Sequence, residues 1–191
     1  MLFRSRITRK TEKGLPRYGT DDVFVLSGAE DLVPTLKGGT TDAIDSEVIG
    51  NFRITRYRPR TEGLFARIES WEKLDAADGN TVVDVFWRVT TRDNTTSIYG
   101  RSPQAKLVDP ADLDQNGEQP KIFEWLLEET FDSRGNHISY IYARDDAQPT
   151  SYEIYEKNRS YAQVYPRRVL YANVPRSEER RVGKECATGC R

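Results

Sequence analysis

Apolar and polar residues in this chain alternate more often than they follow a helical repeat, and a period of two marks strands with one covered face. From Leu64 to Trp71, the residues Phe65, Arg67, Glu69 and Trp71 alternate with Leu64, Ala66, Ile68 and Ser70. From Val83 to Thr91, Val83, Val85, Trp87, Val89 and Thr91 share one side. Between them, DAADGNTV (75–82) carries Asp-Gly-Asn turn chemistry. Gly and Asn accept positive φ cheaply, so the two strands are predicted to pair as an antiparallel hairpin.

A second hairpin is predicted from Phe123–Phe131 and His137–Arg144, joined by DSRGN (132–136). Its apolar face is Phe123, Trp125, Leu127 and Phe131, answered by Ile138, Tyr140 and Tyr142. The segment IFEWLLEET (122–130) would also suit a short helix, because Leu and Glu favour one. Its β-rich partner and the hairpin turn favour a strand. The best helical spacing is Ser151–Gln163, where Tyr155, Arg159 and Ala162 recur three or four apart and Pro166 stops the run. RRVLYANV (167–174) then returns as a strand. The expected fold is mainly β, with antiparallel hairpins in a curved sheet and one short helix near the C-terminal end.

The two ends change the composition argument. A DNA stretch encoding Leu2-Phe3-Arg4-Ser5 has a reverse complement that can encode Arg-Ser-Glu-Glu, which is Arg176-Ser177-Glu178-Glu179. An inverted repeat that makes sense only as DNA resembles a sequencing adapter read through on both sides of an insert. Residues 1–5 are therefore expected to be adapter-derived, residues 176–191 an adapter-derived or disordered tail, and 6–175 a partial domain. Cys186 and Cys190 leave with the tail, so no disulfide or cysteine metal site remains. The whole chain carries a net charge of −1, and the 6–175 segment, with 23 basic and 27 acidic residues, carries −4. That balance gives no global case for nucleic acid. With 37% hydrophobic residues the core is thin for 191 residues, and there is no apolar run of membrane-spanning length.

Candidate chemistry is sparse. The single histidine, His137, follows a turn at a strand start, without a cysteine to complete a nucleophilic or metal constellation. It reads as a surface or edge residue rather than a general base. Asp112–Glu118, DLDQNGE, begins like a calcium loop, but the later ligand positions fall on Pro120 and Phe123, so it reads as an acidic surface loop. Arg56, Arg58 and Arg60, with Phe52 and Tyr57 interleaved, could form a single-stranded nucleic-acid platform. Ion pairing with Glu62, Glu69 and Glu72 is the stronger reading. Ser27–Pro34, SGAEDLVP, lacks phosphate-loop spacing and reads as a turn into a short apolar segment.

Five ordered blocks carry a resemblance: KGLPRYGTDDVFVLSGAEDLVP, YRPRTEGLFARIESW, FWRVTTRDNTTSIYGRSPQAKLVDP, IFEWLLEETFDSRGNHISYIY and YPRRVLYAN. Together they are similar to the SpvB N-terminal domain family, found in a Salmonella virulence protein and in the B component of insecticidal toxin complexes. The resemblance covers essentially all of 6–175 and lacks the family's usual opening. It implies a non-catalytic segment of a hollow, Rhs-type β shell that encloses a toxic C-terminal payload and helps to deliver it. ADP-ribosyltransferase activity in such proteins belongs to a separate C-terminal domain. The implied partners are a toxin-complex C component and, through a neighbouring β-propeller, an A-component channel. The implied location is extracellular as part of a toxin complex, and cytoplasmic before release. No catalytic, cofactor-binding or metal residue, no cofactor, no nucleic acid and no membrane contact by this segment is expected.

The competing class is a stand-alone β module that binds carbohydrate or nucleic acid through the Arg-aromatic strand or a face of Trp71, Trp87 and Trp125. A hydrolase or transferase comes third, without a constellation to support it. Cutting a continuous sheet at Arg6 and Pro175 would leave unpaired edges, so the piece is expected to be poorly soluble or oligomeric.

Overall fold

A computed structural model of the chain describes residues 5–11, 16–19, 21–28, 30–38, 43–61, 63, 65–108, 121–144 and 162–173. The strands are β1 (Arg6–Arg9), β2 (Phe24–Leu26), β3 (Glu30–Pro34), β4 (Ser46–Ile49), β5 (Phe52–Pro59) and β6 (Arg67–Leu74). They continue as β7 (Val82–Thr90), β8 (Thr96–Tyr99), β9 (Lys106–Val108), β10 (Ile122–Phe131), β11 (Asn136–Arg144) and β12 (Val164–Asn173). The one helical turn among the described residues is the 3₁₀ turn Pro103–Ala105.

All twelve strands join one antiparallel sheet, and the path β1-β2-β3-β5-β6-β7-β8-β10 returns to its start because β1 also pairs with β10. Ile7 lies between Leu26 of β2 and Trp125 of β10. The curved sheet expected from the sequence therefore closes into an eight-stranded barrel. A barrel of about eight strands has an interior just wide enough for side chains to fill, and this one is filled. Ile7, Leu32, Ile68, Trp87, Trp125 and Leu127 are each at most 2% exposed and belong to one core cluster.

Closure depends on an irregularity in β10. Leu127 pairs with Tyr99 but Glu129 with Ile98, leaving Glu128 as an extra residue. A bulge bends and twists its strand. The surplus side chain is used, since the Glu128 carboxylate accepts the backbone N–H groups of Arg101 and Ser102, both at 2.8 Å. Beyond the bulge, β11 pairs with β10 only over Glu129–Phe131 and leaves the barrel as a long hairpin with β12. The Arg144 guanidinium ties the far end back by donating to the carbonyls of Pro103 at 2.7 Å and Lys106 at 2.9 Å.

Both predicted hairpins form, with turns built as their sequences suggest. Gly79 and Gly135 take positive φ. The Asp78 carboxylate accepts from the Asn80 and Thr81 amides, and that of Asp132 from the Arg134 and Asn136 amides. Two expectations need correction. The strand expected from Leu64 begins at Arg67, because Phe65 sits at φ 46°, outside the β region. Most of the helix expected over Ser151–Gln163 lies outside the described residues; of its span only Ala162 and Gln163 are described, both irregular, and β12 starts at Val164. The edge expected at Arg6 is absent: β1 is paired on both sides and closes the barrel.

Candidate functional site

The interior is the most elaborate environment in the molecule, and alternation within the strands builds it. Trp87 projects inward from β7, with its ring 4.9 Å from Phe24, 4.9 Å from Tyr57 and 6.0 Å from Trp125. Most of these pairs are edge-to-face, the arrangement the ring quadrupoles favour. The Trp125 indole N–H donates to the Val85 carbonyl at 2.8 Å. Trp87 Nε1 and Arg88 Nε are buried without a hydrogen-bond partner among the described residues.

A cation is packed into this aromatic core. The Arg9 side chain is 6% exposed, and its guanidinium lies over the rings of Tyr18, Phe24 and Trp125 at 5.1, 5.2 and 5.7 Å. Its Nε donates to the Ile122 carbonyl and its Nη1 to Asp22, both at 2.8 Å. Burial pushes the Arg9 pKa down, against the opposing pull of Asp22. Burial also pushes the Asp22 carboxyl up, but the Arg17 and Tyr18 amides and the Arg9 charge outweigh it and hold Asp22 below the usual range. The Tyr57 hydroxyl, desolvated and within the field of Glu72, is pushed up to about 12. These groups brace one another: Arg9 bonds to Asp22 and lies over Phe24, whose ring packs edge-on to Tyr57.

Lys106, 4% exposed, pairs with Asp84, and burial lowers its pKa despite that partner. Glu124, 8% exposed, lies 3.3 Å from Arg6, and burial raises its pKa despite the arginine. Glu124 and Arg6 flank an open groove of about 370 Å³, floored by Leu107 and Leu126 and walled by Tyr142 and the start of β12. No group of three His, Cys, Asp or Glu side chains with metal-binding geometry occurs among the described residues.

The residues singled out from the sequence do not converge. His137 pairs with Phe131 at the start of β11, half-buried, with the two rings 6.4 Å apart. Asp112–Glu118 lies outside the described residues. Ser27 and Gly28 form the β2–β3 turn at φ 53° and 75°, leading into β3 as expected.

The arginine strand is ion-paired, in part with the expected acids, since Glu72 bonds to Arg53 and Glu69 lies opposite Arg56, and in part with others. Arg56 bonds to both oxygens of Asp45 at 3.0 Å and to Glu47 at 2.6 Å, acids carried by and beside β4, which folds back onto β5. Arg60 faces Asp31, Glu72 takes Arg53, Glu69 takes Arg67, and Arg58 is exposed. Glu62 lies outside the described residues. Tyr57 is no part of an outer platform, since its ring packs on Phe24 and Trp87 inside the barrel.

The three tryptophans do not form a sugar-stacking face. Trp87 is 0% and Trp125 1% exposed in the interior. Trp71 lies on the opposite side of the wall, stacked on Phe86 at 5.7 Å with Phe52 edge-on. Sequence reasoning also missed the Arg9–Asp22 plug and the Lys106–Asp84 pair. The only signal for them was a charge at a strand position whose alternate neighbours are apolar, as Ile7 is to Arg9.

Comparison with known proteins matches this architecture. Curated relatives in Salmonella typhimurium and Salmonella dublin, each named mono(ADP-ribosyl)transferase SpvB, are 29% identical over 175 residues, 87% of this chain. The chain spans only 28% of their length. The solved N-terminal domain of effector protein SpvB from Salmonella typhimurium strain LT2 superimposes with a TM-score of 0.71 at 29% identity, over 88% of this chain and 51% of that one. The TcdB2-TccC3-Cdc42 crystal structure gives 0.69 at 30% identity, over 87% of this chain and 7% of that one. The Photorhabdus luminescens Tc holotoxin pore gives the same values.

The similarity thus falls on the N-terminal domain of SpvB and on Tc toxin structures, not on the C-terminal transferase domain that the sequence resemblance sets apart. The barrel is a toxin-associated structural domain. With a family model matching residues 2–188, the chain belongs to the SpvB family, that of the Salmonella virulence plasmid 65kDa B protein.

Proposed function

We propose that this barrel is a non-catalytic wall segment of a toxin-complex B or SpvB-like protein, part of a β shell that encloses a toxic C-terminal payload and helps to deliver it. The observation that carries the reading is the closed barrel with a filled interior, matched over 87% of the chain in an assembly of TcdB2 with TccC3. A wall acts by steric exclusion. It needs rigidity and satisfied edges rather than a poised acid or nucleophile, and the buried ionic groups here serve packing. Partners of this class are a C component that completes the shell and, through a propeller elsewhere in the longer chain, an A-component channel. The site of action is outside the producing cell, within the assembled toxin. On this reading residues 6–175 are part of a larger domain.

The test is to co-express the longer protein that carries this barrel with its C component and image the complex by electron cryomicroscopy. Density for 6–173 within the wall of a closed cavity is expected. A barrel projecting from the assembly as a free module, or no complex at all, would overturn the proposal.

A further inference from the structure

The sheet register sets the outer face of β5, β6 and β7 row by row. One row carries Ile54, Trp71 and Phe86, and the next carries Arg56, Glu69 and Arg88. In the row after that, Arg67 lies opposite Thr90, and the same register continued one step brings Arg58 level with Arg67. Residues two apart in a strand share a face, so Arg56, Arg58, Arg67 and Arg88 all point outward beside Trp71 and Phe86. Phe52 completes the apolar end of the patch, its ring edge-on to both Trp71 and Phe86.

The acids of this face are already engaged. Asp45 and Glu47 hold Arg56. Glu69, 5% exposed, bonds to Arg67 at 3.0 Å and accepts from the Trp71 indole at 3.3 Å. Arg58 and Arg88 make no hydrogen bond or ion pair among the described residues. Arg58 is exposed, whereas Arg88 is half-buried and its Nε is shut off from water with nothing to donate to. An unsatisfied buried donor lowers stability, and so do like charges level on neighbouring strands. Both costs fall on one patch, and carboxylates brought in from outside would offset both. Arginine with large aromatic side chains is also the composition of interface centres.

We propose that the outer face of β5–β7 docks an acidic segment of a partner protein, whose carboxylates pair with Arg58 and Arg88 while its apolar side chains rest on Trp71 and Phe86. Charge complementarity selects the acidic partner. A protein fits better than a nucleic acid, because Asp45, Glu47 and Glu69 lie among the arginines and would repel a continuous phosphate backbone, whereas a few carboxylates can address two cations. The inference does not rest on the shell reading, since it concerns this face by itself.

The test titrates the full chain into a fluorescein-labelled poly-L-glutamate peptide and follows anisotropy. Binding is expected, weakened by added salt and reduced about tenfold or more by Arg58→Gln with Arg88→Met. Arg168→Glu, at an exposed position on β12, should bind as the parent does. Arg88→Met alone removes the unsatisfied donor, so it should weaken binding while leaving the thermal midpoint unchanged or higher, which a merely structural arginine would not do. No binding of the glutamate peptide, an equal loss with Arg168→Glu, a lowered midpoint in Arg88→Met, or tighter binding of oligothymidylate or phosphatidylserine vesicles through the same arginines would each overturn the proposal.

Discussion

Gly100 lies against the indole of Trp125: at φ +63°, a Cβ built there would sit 2.4 Å from Trp125 Cδ1. The indole cannot retreat, because it is 1% exposed and its N–H is held by the Val85 carbonyl. Gly100 also donates its own N–H to the Leu126 carbonyl at 2.9 Å, fixing the close approach at the seam where β8 meets β10. Gly100→Ala adds a left-handed-backbone penalty to overpacking, together about 2–4 kcal/mol. Thermal unfolding should show a midpoint lowered on the order of 10 °C.

The three tryptophans make a graded series. Trp87→Ala and Trp125→Ala empty the barrel interior and should cost about 3–5 kcal/mol each. Trp71→Ala, on the outer face, should cost roughly 1–2 kcal/mol, set by its contacts with Phe86 and Phe52. Denaturant titration of the three variants measures the order, and equal costs would show that the faces are misassigned.

The Arg9–Asp22 pair predicts a double-variant result. Asp22→Ala leaves a buried guanidinium facing rings and should cost about 3–5 kcal/mol. Arg9→Met with Asp22→Leu removes both charges and should recover much of that loss, except for the Arg17 and Tyr18 amides that Asp22 also accepts. A thermodynamic cycle over the two singles and the double measures the coupling.

Acid stability follows from opposing shifts. Asp22 is held below the usual Asp value of 3.8, so its contribution is full above that value and is lost as the pH falls through its depressed folded value. Asp78, Asp93 and Asp132 in the turns are shifted the same way by their hydrogen bonds. Glu124 is raised above 4.5, mainly by burial, so its ionisation costs stability at neutral pH and its protonation returns it as the pH falls toward 4.5. Glu124→Gln should therefore leave stability at pH 7 unchanged or higher, and steepen the acid loss. A marked loss at pH 7 would contradict this assignment.

The two hairpins were legible because Asp-Gly-Asn and Arg-Gly-Asn turns sit between alternating runs long enough to count. β1, β8 and β9 were not, since three or four residues hold too few alternations to distinguish a strand from a loop. Barrel closure was invisible for the same reason: it rests on Ile7 meeting both Leu26 and Trp125, a contact across more than a hundred residues. Of the acids around Arg56, Glu69 was legible because it lies on the next strand, opposite Arg56, whereas Asp45 and Glu47, which make the direct ion pairs, are carried by and beside a strand that precedes it and folds back. Trp71 and Trp87 were grouped as one face because their sides depend on the register that sets Trp71 opposite Phe86 and Ser70 opposite Trp87.

The most direct measurement of the shell account is protease accessibility of the payload in the assembled B–C complex, comparing the parent barrel with Gly100→Val. Complete protection by the parent barrel, and payload digestion when the variant loosens the wall, is the predicted result. A payload digested equally in both complexes, or equally protected when the barrel is shown to be unfolded, would contradict it.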